Sequence, residues 1–200
     1  MEKERGAMRI ISREQVEALL DLNRLVEVEA RAMADVSAGT ASMPARTAVV
    51  MPEKGAFLGA MPVYLPSSQV LECKLVSVFP ENAKLGLPTH QAVVVVFDAA
   101  TGEPRALMDG TYITAARTAA GSALATRLLA RSDAEVLAIL GTGVQARMHA
   151  RFMARLKGWR EVRVAGRDPR KARALAEELS HELSLPARGV GSHPPPPPPP

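Results

Sequence analysis

The chain has 200 residues, 47% of them hydrophobic and 23% charged, a balance that excludes a collagen-like, coiled-coil or wholly disordered protein. Its length suits one large domain or two small ones. The longest apolar run, residues 92–97, falls far short of the roughly 20 residues of a membrane-spanning helix. The opening residues lack the apolar stretch of a secretory leader, and the single cysteine, Cys73, has no partner for an internal disulfide. A reducing cytoplasm is the expected location. The net charge of +4 is unevenly spread: ten basic residues and two acids lie between Arg147 and Arg173. Such a segment points to an anionic partner, or to a solvated helix face rich in arginine.

Ser12 with Gln15 three residues on has the spacing of a capping box, and Val16, Leu19 and Leu20 follow at helical intervals. A second helical run from Leu22 fades at Ser37-Ala38-Gly39. Residues 47–51, 56–65, 70–79 and 90–97 are rich in valine and aromatics and divided by Pro and Gly, which predicts strands. Residues 98–102 read as a hairpin turn into a further strand at 105–108. The first half is thus expected to be two helices and a mostly antiparallel sheet. From Tyr112, small residues at helical spacing (Ala115, Ala116, Ala119, Ala120, Ala123) predict a closely packed helix. A buried-strand run at 135–140, a helix at 144–156, a short strand at 161–165 and a helix at 169–183 with Pro at its first turn then predict a parallel sheet with crossovers.

Gly141-Thr142-Gly143-Val144-Gln145-Ala146 fits the dinucleotide fingerprint, with strand before it and helix after it. Gly141 permits the tight turn, Gly143 lets a pyrophosphate approach the backbone, and Ala146 lets the helix sit close to the strand. The helix N-terminus offers free N–H groups to the phosphates. The next strand runs out as Val164-Ala165-Gly166-Arg167. An acid at that tip would bond ribose hydroxyls, whereas an arginine receives a 2′-phosphate. Arg167 therefore favours NADP, and Asp168 one place further leaves NAD open.

Pro44-Ala-Arg46-Thr, Gly59-Ala-Met-Pro62, Cys73-Lys74-Leu-Val, Leu87-Pro-Thr89-His90-Gln, the run from Met108 through Arg117 to Ala120, and Leu140-Gly-Thr-Gly143-Val-Gln145-Ala occur together in order. In these the chain resembles the ornithine cyclodeaminase and mu-crystallin family, from Met8 to about Leu183. The resemblance implies an α/β fold: an N-terminal α+β domain for substrate binding and dimerisation (1–118), then a Rossmann-type domain (119–188). It implies an NAD(P)-dependent homodimer that reduces ketimines, oxidises amino acids or deaminates ornithine or lysine. It also leaves a non-catalytic NADP- or small-ligand-binding protein as an alternative. Carried over residue by residue, Arg46, Lys74 and Arg117 match the cluster that holds the substrate carboxylate. Lys74 is the better proton donor of the three, because burial beside two cations should depress its pKa. Thr89 and His90 match positions near the cofactor, and Thr142, Gly143, Val144 and Gln145 with Gly166, Arg167 and Asp168 match its phosphate and ribose contacts.

Cys73 reads as a buried small hydrophobe, and no Cys or His cluster has metal-ligand spacing. RNA binding through the arginine-rich segment is disfavoured, since Phe152 and Trp159 are its only aromatic residues. The family's catalytic aspartate lies beyond the second Rossmann strand, downstream of anything present here. With only two Rossmann strands expected and a proline run, Pro194 to Pro200, at the C-terminus (189–200), the chain reads as an incomplete, poorly stable N-terminal portion cut or misread near Gly189.

Overall fold

The computed structural model describes residues 7–191. The chain divides into two compact units, one of Met1–Asp21 with Glu27–Thr114, the other of Leu22–Val26 with Ala115–Pro200. The division passes through two helices, α2 (Leu22–Ser37) and α3 (Gly110–Leu129).

In the first unit a six-stranded sheet has the order β1-β6-β5-β4-β3-β2. Its strands are β1 (Arg9–Ile11), β2 (Thr47–Met51), β3 (Ala56–Leu65), β4 (Val70–Val78), β5 (His90–Asp98) and β6 (Pro104–Asp109). Four of its pairings are antiparallel, while β1 runs parallel to β6. The sequence reading missed β1, which is too short to show a period of two. Helix α1 (Arg13–Leu19) starts at Ser12, which forms the predicted capping box with Gln15. The turn from β5 to β6 is held by Asp98, whose Oδ1 accepts from the N–H groups of Ala100 and Thr101 at 3.0 and 3.1 Å. Gly102 closes it at φ 74°.

Side chains alternate across the sheet. The row Met61, Lys74, Val94, Met108 shares its face with the row Gly59, Val76, Ala92, and Val76, Ala92 and Val94 are buried there. The opposite face carries Ile10, Val49, Leu58, Leu75 and Val93, all exposed. Exposed apolar side chains grouped on one sheet face are of the kind that partner surfaces cover.

In the second unit β7 (Val136–Leu140), β8 (Glu161–Ala165) and β9 (Ala187–Val190) form a parallel sheet in that order. The crossovers are α4 (Val144–Met153) and α5 (Pro169–Leu183). The expectation of only two strands is corrected: residues 187–190 pair with 162–165, so the sheet continues through Gly189, the expected break, and past residue 188. Residues 187–190 are too few, and too polar at Arg188, to read as a strand alone. A Cβ on Gly189 would lie 2.8 Å from the backbone N of Arg173, so glycine is what lets β9 pack against α5. The proline run lies outside the described residues.

Helix α4 is shorter than predicted. Beyond Met153 the chain tightens into i→i−3 turns, with Arg155 N–H to the Phe152 carbonyl and Leu156 N–H to the Met153 carbonyl. Trp159 is buried behind that end, its Nε1 donating to the Met153 carbonyl at 2.7 Å. Phe152, Val162, Val164, Leu175 and Leu179 form the centre of this unit's core, each fully buried. Burial on this scale contributes roughly 1.5–3 kcal/mol per large side chain.

Candidate functional site

The second unit carries a cleft of about 710 Å³ at the C-terminal ends of β7 and β8, lined by Gly141, Thr142, Gly143, Gly166, Arg167 and Lys171 among others. Ligands of open parallel sheets bind at this end of the strands. Gly141 takes φ 118°, a conformation that side chains disfavour, and its N–H donates to the Ala165 carbonyl at 2.8 Å, tying the loop to the tip of β8. Gly143 is the N-cap of α4 and offers no side-chain acceptor, so the N–H groups of the first turn stay available to an anion. A Cβ on Gly166 would approach Thr142 Cγ2 to 2.9 Å, which shows how closely the two sides of the loop meet.

At the far end of the cleft Arg167 is exposed and Lys171 stands one turn into α5. Asp168 is the N-cap of α5: its carboxylate accepts from the Arg170 N–H at 2.9 Å and from the Arg170 guanidinium at 3.3 Å. The Arg170 side chain, foremost, and the capping N–H groups hold that carboxyl below its usual range. The acid is thus engaged by its own helix, while two cations face the cleft. Lys171 was not among the site residues expected from sequence; its signal is its place one turn after Arg167.

Val144 and Gln145 do not line this cleft. Val144 is exposed, and Gln145 borders a second hollow of about 410 Å³ with Thr126, His149 and Met153. His149 bonds the Gln145 carbonyl through Nδ1 at 2.7 Å and the Ser122 hydroxyl through Nε2 at 3.0 Å. Since a carbonyl only accepts, Nδ1 carries the proton, and in the neutral ring the serine hydroxyl donates to Nε2.

Much of the arginine-rich segment is consumed internally. Arg147 and Arg151 of α4 pair with Glu178 and Glu182 of α5, Arg160 with Glu135, Arg163 with Glu161, and Arg170 with Asp168. Lys157 binds the Ser132 carbonyl at 2.7 Å. Phe152 and Trp159 are buried and cannot stack on bases. These pairings fit the solvated, ion-paired helix face.

In the first unit Lys74 is half-buried in the middle of β4, opposite Met61 and Val94. Arg46 is exposed one residue before β2, and the register of Thr47 on Ala60 and Leu75 puts it in the row of Lys74, two strands away. That is about 10 Å at the usual strand spacing. Burial raises the pKa of Glu72, two residues from Lys74 on the same face, against the opposing pull of the Lys74 ammonium. His90 opens β5, four rows from Lys74 on that face, and the carbonyl of exposed Thr89 accepts from the Phe79 N–H at 2.8 Å. Arg117 is exposed on α3, in the second unit. Cys73 is half-buried, its thiol 3.9 Å from the Lys74 carbonyl oxygen. Among the described residues no cluster of His, Cys, Asp or Glu could hold a metal ion, and no helix is long and apolar enough to cross a membrane.

Residues 7–193 match the Ornithine cyclodeaminase/mu-crystallin family. The ketimine reductase mu-crystallin of Mus musculus is 38% identical over 147 residues, 74% of this chain and 47% of the relative. Among solved structures, the Thermococcus litoralis Delta(1)-pyrroline-2-carboxylate reductase in complex with NADH and L-proline superposes with a TM-score of 0.87 at 38% identity, covering 92% of this chain and 57% of that one. An archaeal alanine dehydrogenase dimer with bound NAD gives 0.84 at 28% identity, covering 92% and 56%. The chain therefore spans about half the length of the relatives it matches, and it belongs to the ornithine cyclodeaminase/mu-crystallin family.

Proposed function

We propose that this member of the ornithine cyclodeaminase/mu-crystallin family serves NAD(P)-dependent reduction or deamination of a small imino or amino acid. The observation that carries the reading is the cleft at the ends of β7 and β8, where Gly141, Gly143 and the uncapped start of α4 offer a dinucleotide its pyrophosphate site. The part from residue 119 through β9 at Val190 is the cofactor-binding part, and residues 1–118 are the substrate-binding and dimerising part. Thr89, His90, Val144 and Gln145 are assigned to the cofactor by the family resemblance alone. Arg46 and Arg117 offer planar two-donor forks to the substrate carboxylate, and Lys74 adds a compact charge. A nicotinamide dinucleotide held in the cleft would supply the hydride for the imine carbon, with Lys74 as the proton donor to the imine nitrogen; deamination would begin with the reverse transfer. Positioning supplies most of the rate.

NADP is the preferred cofactor. Arg167 and Lys171 line the cleft, and the carboxylate of Asp168, which also lines it, is bonded by Arg170. The homodimer forms through the exposed apolar face of the six-stranded sheet, a reading supported by that face and by the dimeric archaeal relative. The protein acts in the cytoplasm, in keeping with its single cysteine.

The test uses NADPH deuterated at C4 and Δ1-pyrroline-2-carboxylate, with the chain alone and with the chain joined to the C-terminal portion of the Thermococcus relative. Deuterium at the α-carbon of the proline formed by the fusion supports the reductase. NADPH binding by both proteins without transfer by the fusion favours the second reading, a binding protein like the mu-crystallin branch.

A further inference from the structure

The dinucleotide loop is held from behind by a side chain that never enters the cleft. Arg147, in the first turn of α4, makes a two-pronged bond to Glu178 of α5: Nε to Oε1 at 2.8 Å and Nη2 to Oε2 at 2.9 Å. That fork uses one edge of the guanidinium. Its remaining nitrogen, Nη1, donates to the Thr142 carbonyl at 2.9 Å. In a trans peptide the carbonyl and the following N–H point in opposite directions. Fixing the Thr142 carbonyl against Arg147 therefore turns the Gly143 N–H away from Arg147, whose side chain is not part of the lining of the cleft that Thr142 and Gly143 border.

We propose that Arg147, anchored by Glu178, is a positioning residue that presets the Thr142–Gly143 peptide for the pyrophosphate of the bound dinucleotide. The inference rests on the cofactor reading above and goes beyond it in naming what orients the donor. Arginine is required because the task needs two edges of one rigid plane, one for the carboxylate and one for the carbonyl; a lysine ammonium has the charge but not that geometry. A site whose donors are already aimed binds without the ordering cost of turning a peptide.

The molecule contains its own control. One turn further along the helix from the loop, Arg151 pairs with Glu182 through Nε at 2.6 Å and Nη2 at 3.1 Å, joining the same two helices. A purely structural bridge between α4 and α5 would make the two arginines equivalent. A positioning role makes them different.

The experiment measures dissociation constants of NADPH and of adenosine 2′-monophosphate, which lacks the pyrophosphate, for the 200-residue chain, Arg147→Lys, Arg151→Lys and Glu178→Gln, with thermal midpoints alongside. The expected result is NADPH binding weakened about tenfold in Arg147→Lys and several-fold in Glu178→Gln, as loss of an aimed charge-assisted donor implies. Adenosine 2′-monophosphate binding stays within about twofold of the parent, and Arg151→Lys lowers the thermal midpoint as much as Arg147→Lys while leaving NADPH affinity intact. Equal NADPH affinity in the two lysine variants, or equal losses for both nucleotides in Arg147→Lys, overturns the positioning role and leaves the cofactor reading standing. Failure of the parent chain to bind NADPH removes the cofactor reading, and the positioning role with it.

Discussion

Replacing Gly166 with alanine places one methyl group where the structure has no room for it. The added Cβ would lie 2.9 Å from Thr142 Cγ2, whereas its next neighbours, the Asp168 carbonyl at 3.9 Å and Ala172 Cβ at 4.0 Å, are at ordinary contact distance. Carbon atoms rest at about 3.5–4.0 Å, so the whole conflict is with one methyl of one side chain. Thr142 is β-branched, and relief requires turning its χ1 or shifting the loop, whose carbonyl Arg147 holds. Overpacking of this kind costs about 1–2 kcal/mol. The chain has one tryptophan, Trp159, buried in the same unit, so urea unfolding followed by its fluorescence reports on this unit. The prediction is a midpoint lowered by about that energy and nucleotide affinity reduced about tenfold. Thr142→Ser, which deletes Cγ2 and keeps the hydroxyl, restores both in the double variant, a coupling that independent sites do not show. An unchanged midpoint in Gly166→Ala, or failure of serine to rescue it, refutes the reasoning.

Gly189→Ala brings a Cβ to within 2.8–2.9 Å of Arg173 Cγ, N and Cα; because backbone cannot step aside, the Trp159 transition should fall by about 3 kcal/mol or more, and a neutral result would mean that β9 does not pack on α5. Arg167→Asp should shift preference from NADPH toward NADH in paired titrations, since it exchanges a phosphate-binding cation for a hydroxyl-binding acid. Arg117→Ala, assayed in the fusion protein, should lower kcat/KM for the imino acid by about 2–4 kcal/mol of transition-state stabilisation, and an unchanged value removes Arg117 from carboxylate binding. The carboxyls of Glu161, Asp168 and Glu178 are held below their usual values by hydrogen bonds from Arg163, Arg170 and Arg147 respectively. A depressed folded pKa stabilises above the unfolded value and is lost as pH falls through the folded one. The urea midpoint of the Trp159 transition should therefore be flat above about pH 5 as far as these carboxyls set it and decline below the usual carboxylate values near 4; a decline beginning above pH 6 would contradict these pairings.

The parts legible in the sequence were those with a local cause. The capping box at Ser12, the glycine pattern after β7 and the proline that starts α5 each act over a few residues. Strand β1 and strand β9 were missed because three or four residues hold no period, and both exist only through pairing with strands distant in sequence, Arg9 with Ala106 and Ala187 with Val162. The site followed the same division. Gly141, Gly143 and Arg167 announce themselves in a motif. Arg147 read as one more cation in a basic run, because its partner Glu178 lies 31 residues away and its grip on the Thr142 carbonyl requires the loop to be folded first. Lys171 was likewise visible only once the start of α5 stood beside the cleft.

The proposed occupant of the cleft between Gly141 and Lys171 is a dinucleotide with its 2′-phosphate at Arg167. Isothermal titration of NADPH and NADH into the chain and into Arg167→Asp tests it most directly. The expected result is saturable one-to-one binding, with NADPH the tighter ligand in the parent and the order reversed in the variant. Tighter NADH binding by the parent, or an unaltered order in Arg167→Asp, would contradict it.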